Sequence, residues 1–96
     1  MELYIFARLH ALPGNEPDLA QAIEQVLAPT RNEEGCLAVN AFRSIRDSRL
    51  FYIHSRWKNE AAFDLHIALP HTVRFVELVE PLLDHTFEAS RTTLMG

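Results

Sequence analysis

Three segments, LYIFARLH (3–10), CLAVNAFRS (36–44) and RLFYIHSRW (49–57), read as β-strands, and neither face of their two-residue alternation is simply polar. Successive side chains of a strand point to opposite sides of a sheet. One side collects Leu3, Ile5, Ala7, Leu9, Val39, Ala41, Phe51, Ile53, Ser55 and Trp57. The other collects Tyr4, Phe6, Arg8, His10, Asn40, Phe42, Tyr52, His54 and Arg56. The first set is an apolar core face. The second mixes four large aromatics with hydrogen-bonding groups, the composition of a protein interface rather than of a solvated surface. A sheet of this kind needs cover on both sides. Helices supply one cover, and the reading predicts a second copy of the chain on the other, a homodimer through Tyr4, Phe6, Phe42, Tyr52 and His54.

The segments between the strands supply the helices. LPGNEP breaks the first strand, with Asn15 as the expected helix cap, Asp18 at its third position and Pro17 in the first turn. Leu19, Ile23, Val26, Leu27 and Thr30 then recur at helical spacing, Pro29 should kink or tighten the last turns, and Gly35 should end the segment. IRDS joins the second and third strands as a hairpin. Asn59 caps a helix over 60–69, and Pro70 begins another helical segment to about Leu83, with Thr72, Phe75, Val76, Val79, Leu82 and Leu83 on one stripe. HTFEASRTTL closes the chain as a fourth strand. The order β-α-β-β-α-β predicts a ferredoxin-like α+β fold, an antiparallel sheet with helices on one face, as a single domain over residues 1–96.

Composition narrows the function. The formal charge is −4, and the nine basic residues are scattered, which argues against nucleic acid as a partner. The first ten residues lack the basic region and cleavage site of a signal peptide, and no apolar run reaches the roughly 20 residues needed to span a bilayer, so no membrane association is expected. A single cysteine, Cys36, cannot form an intrachain disulfide and agrees with a reducing, cytoplasmic location; it reads as a small buried residue at a strand start.

The stretch FDLHIALPH places His66 and His71 five residues apart with Pro70 between them. On the 60–69 helix, Leu69, Ala62, His66, Phe63 and Ile67 share one sector, so His66 is aimed at the sheet and Trp57. A buried imidazole needs a hydrogen-bond partner, which leaves His66 either a satisfied core residue or a working one. His71 sits at a helix start, placed to cap amides or line a pocket rim. No metal is expected, because two helical ligands want an unbroken i,i+4 face and no carboxylate-rich or cysteine-rich set completes a shell.

LPGNEPDLAQAI, PTRNEEGCLAV, SRLFYIHSRWKNEAAFDLHIALPH and the terminal strand together resemble the antibiotic biosynthesis monooxygenase family, and the EEGC step, RWKNEAAFDLH and the LPH break carry most of the likeness. The resemblance implies homodimers whose sheets pack face to face as a dimeric α+β barrel, with a small-molecule pocket between sheet and helices of each subunit. Some members oxidise quinols, anthrones or similar electron-rich aromatics with molecular oxygen and no cofactor. On that analogy His66 and Trp57 are the expected catalytic residues, and Phe63, Ser55, His71, Phe75, Ile53 and Ala7 the expected substrate-binding ones. Ile53 stands where the aromatic-oxidising members carry an asparagine. Ala7 and Val76 stand where the haem-degrading branch has an asparagine and a histidine, which disfavours haem. Two other readings remain at this point, an isomerase or epimerase using His66, and a dimeric small-molecule-binding module without turnover.

Overall fold

The structure, a computed structural model, describes residues 1–96. Its elements run β1 (Leu3–His10), α1 (Glu16–Arg31), β2 (Cys36–Arg43), β3 (Leu50–Trp57), α2 (Glu60–Ile67), α3 (Pro70–Val79), a 3₁₀ turn (Glu80–Leu82) and β4 (Glu88–Thr92). The four strands form one antiparallel sheet in the order β2-β3-β1-β4. This is the ferredoxin-like α+β arrangement expected from the pattern, with the second helical stretch divided in two.

The division has a local cause. The ring of a proline clashes with the preceding residue in helical conformation, and Leu69 is accordingly extended (φ −73°, ψ 148°). Thus α2 ends at Ile67 rather than 69, and α3 starts afresh at Pro70. Pro81 has no N–H to continue the i→i−4 ladder, so α3 gives way at Glu80 to a 3₁₀ turn instead of running to Leu83. Pro29 behaves differently: it lies in the last turn of α1, and the helix continues through it to Arg31.

Strand register matches the predicted faces. β1 pairs with β3 as Leu3 with Trp57, Ile5 with Ser55, Ala7 with Ile53 and Leu9 with Phe51, so these eight side chains share the helix-covered side. Two groups fill the space beneath the helices. The larger includes Ala7, Leu9, Leu19, Ile23, Phe51, Phe75 and Val79, and Ile53 packs against it. The smaller comprises Ile5, Trp57 and Phe63. On the uncovered side, Phe6 and Phe42 are about half exposed (52% and 54%). The β2–β3 register shifts between Cys36 and Ala38, which turns Leu37 outward and keeps Cys36 on the covered side, half-buried rather than buried.

Two expected end signals act otherwise. Asn15 makes no side-chain cap to α1; its Nδ2 instead reaches the Leu82 carbonyl at 3.5 Å. Gly35 does not stop α1, which ends four residues earlier with Asn32 in right-handed conformation. Gly35 is needed for space: a Cβ there would lie 2.4 Å from the Cβ of Ala62 on α2. Ile67, expected on the inward sector of α2, is 45% exposed, since a helix of eight residues seats only one narrow face on the sheet.

Candidate active site

Helix α2 is anchored at its start by Asn59, whose side-chain oxygen accepts a hydrogen bond from the Ala62 N–H at 2.9 Å. Three residues apart on a helix means the same face, and Phe63 and His66 both meet Trp57 at the end of β3. The His66 ring lies 4.6 Å from the Trp57 ring, and Phe63 packs edge-on to the indole at 5.6 Å. Trp57 is fully buried, and its indole N–H donates to the Ser55 hydroxyl at 2.9 Å. Ser55 therefore holds the indole in place, and its hydroxyl is already engaged.

The turn between α1 and β2 brings a carboxylate to the same place. Because Gly35 lets this turn close against Ala62, Glu33 reaches α2 and α3 together. Its Oε2 lies 2.7 Å from His66 Nδ1 and 2.7 Å from His71 Nε2. A carboxylate facing a ring nitrogen can only accept, so both nitrogens carry hydrogen. A neutral His66 then has its lone pair on Nε2. All three side chains are largely covered, Glu33 being 12% and His66 13% exposed. Burial pushes the His66 pKa below its ordinary value and the nearby His71 adds to that, while Glu33 opposes it. Thr72, buried on α3, places its hydroxyl 3.3 Å from His66 Nδ1.

The eight expected site residues thus separate into two places. Trp57 and Phe63 pack against the His66 ring, His66 and His71 meet the Glu33 carboxylate, and Ser55 holds the indole. Ala7, Ile53 and Phe75 pack into the larger apolar group beside α1 and α3. His71 and Phe75 also line a cleft of about 160 Å³ between α1 and α3, together with Val26, Pro29, Arg74 and Leu78. Cys36 lies close by, but burial and the Glu33 charge push its thiol pKa up, away from the reactive thiolate.

Sequence reasoning missed Glu33. RNEE read as the polar end of a helix, and nothing local separates Glu33 from Glu34, whose side chain is 95% exposed. In the fold the two histidines come from two helices, and Glu33 joins them.

A second ionic group was missed as well. His10, placed by alternation on the uncovered sheet face, bridges two acids, with Nε2 2.8 Å from Asp47 in the hairpin and Nδ1 on Asp84 after the 3₁₀ turn. Arg49 lies 3.5 Å from His10 Nε2, and His85 also contacts Asp84. The pKa of His10 is raised, chiefly by Asp84 and then Asp47. That of Asp84 is lowered chiefly by His10, and that of Asp47 by the Arg49 N–H and then His10.

The chain is 25% identical over 88 residues to a Bacillus subtilis (strain 168) protein named "Putative monooxygenase YcnE", covering 92% of this chain and 93% of that one. The structure of PA3566 from Pseudomonas aeruginosa is similar at 29% identity and a TM-score of 0.91, over 99% of this chain and 95% of that one. Rv0793 from Mycobacterium tuberculosis shares the fold, with 21% identity and a TM-score of 0.94, over 100% and 97% of the respective chains. No helix is long and apolar enough to cross a membrane. The family profile described as antibiotic biosynthesis monooxygenase matches residues 3–78, and the chain belongs to that family.

Proposed function

We propose that this protein is a cofactor-independent monooxygenase for a small quinol-like or anthrone-like aromatic, with His66 as the proton acceptor and Glu33 as the residue that orients it. The observation that carries the reading is the largely covered Glu33–His66 pair, with the His66 ring packed against Trp57. Glu33 fixes the Nδ1–H tautomer, so Nε2 is free to take a proton from a phenol or an activated methylene. The resulting delocalised anion passes an electron to O₂, and recombination gives a peroxide. For an anthrone-like CH₂, collapse of that peroxide leaves one oxygen atom as the product carbonyl and the other as water. The protein's part is to supply a base, an apolar wall and exclusion of water. Trp57 and Phe63 form the wall, and His71 and Phe75 mark the way in from the cleft between α1 and α3.

The working unit in this reading is a homodimer closed through the uncovered sheet face. Tyr4, Phe6 and His54 already stack there (Phe6 to His54, 4.7 Å), which presents a partner with a continuous aromatic surface.

Oxygen-uptake measurements with a panel of quinols and anthrones test the reading. O₂ consumption with an oxygenated product is expected, falling about 10²–10⁴-fold in His66→Ala. No uptake with any substrate, or an unchanged rate in that variant, refutes it. Proton exchange into a ketone from deuterated water without O₂ consumption would instead make the protein an isomerase.

A further inference from the structure

We propose that Glu33, His66 and His71 form a three-ligand site for a divalent transition metal, zinc or cobalt among them, and that the metal excludes the proton His66 would otherwise handle. The three ligand atoms, Glu33 Oε2, His66 Nδ1 and His71 Nε2, lie within 4.8 Å of one another. In a tetrahedral zinc site with bonds of about 2.0–2.1 Å, neighbouring ligand atoms stand about 3.3 Å apart. The two 2.7 Å contacts need to open by roughly half an ångström to admit the ion. The ligands come from three separate segments (the α1–β2 turn, α2 and α3), so that adjustment needs no change inside a helix. Two imidazoles and a carboxylate are borderline donors that suit zinc, cobalt, nickel or ferrous iron rather than magnesium or calcium. His71 borders the cleft between α1 and α3, so an ion can reach the cluster from that side.

Metal on Nδ1 leaves the remaining hydrogen of His66 on Nε2, so the occupied protein has no proton acceptor there. The metal is thus an inhibitor of the activity proposed above. That consequence rests on the proposed activity, whereas the binding rests on ligand geometry alone, and the two fail separately.

The test is titration of chelator-stripped protein with Co²⁺, read by visible absorption. One equivalent per chain with tetrahedral ligand-field bands is expected, lost on adding Zn²⁺. Glu33→Gln and His71→Gln each weaken binding at least about tenfold, while His85→Gln, in the other histidine cluster, leaves it unchanged. In the unmodified protein, Zn²⁺ shifts the ring ¹⁵N resonances of His66 and His71, a readout that needs no folded variant. The proposal is overturned if millimolar Co²⁺ produces no bands, if both glutamine variants fold and bind undiminished, or if Zn²⁺ shifts His10 and His85 instead.

Discussion

Replacing Gly35 by alanine puts a methyl carbon 2.4 Å from the Ala62 Cβ, where carbon atoms in contact stand about 3.5 Å or more apart. The α1–β2 turn and α2 must separate by roughly 1 Å to relieve it. Overpacking of this size costs about 1–3 kcal/mol. For a domain of this length each kcal/mol lowers Tm by about 4–8 °C, so a fall on the order of 5–20 °C is expected. The obstacle is a single atom, and that makes the reasoning testable. With Ala62→Gly the nearest remaining atoms are the Cα at position 62 and the Lys58 Cε, both at 3.6 Å, ordinary contacts. Ala62→Gly alone costs about 1 kcal/mol of helix propensity. The double variant should therefore be more stable than the sum of the singles by at least about 1 kcal/mol. Urea unfolding followed by the fluorescence of Trp57, the sole tryptophan, measures all four proteins. Two results would refute the argument: Gly35→Ala within about 0.5 kcal/mol of the parent, or strictly additive effects in the double variant.

Ser55→Ala leaves the buried indole N–H of Trp57 without its acceptor and should cost about 1–3 kcal/mol in the same assay, against almost nothing if water replaces the hydroxyl. Asn59→Ala removes the cap of α2 and should cost about 1 kcal/mol, with Asn59→Asp close to the parent. The raised pKa of His10 adds stability that is complete below its ordinary 6.5 and disappears as pH climbs through the raised value. The lowered values of Asp47 and Asp84 add stability present above the ordinary carboxylate range and lost as pH falls through them. The stability difference between the parent and His10→Asn should therefore be largest in mildly acidic solution and shrink on both sides; a difference independent of pH would contradict the bridge. Phe6→Arg, at a residue 52% exposed in the single chain, should shift sedimentation from dimer to monomer while leaving the fold intact; a parent protein that sediments as a monomer at micromolar concentration would remove the basis for the dimer.

Local rules fixed most of the architecture. Period-two alternation over 3–10, 36–44 and 49–57 defines both strand faces, because a regular strand leaves its side chains no other choice, and the observed register agrees with it except at the irregularity between Cys36 and Ala38. Asn59 and Pro70 mark their helix starts from sequence for a similar reason, since capping and the proline ring act within a few residues. His66 on the face toward Trp57 followed from helical geometry alone. Tertiary structure decided the rest. Gly35 looked like a helix stop and proved to be a point of close approach, which depends on Ala62, 27 residues later. Glu33 became a partner of two histidines only when the turn closed on α2 and α3. His10 kept its place at the end of β1, but its partners Asp47 and Asp84 come from distant loops. A short-range pattern records what a residue does to its own backbone; which charges will meet across tens of residues depends on how the chain closes on itself.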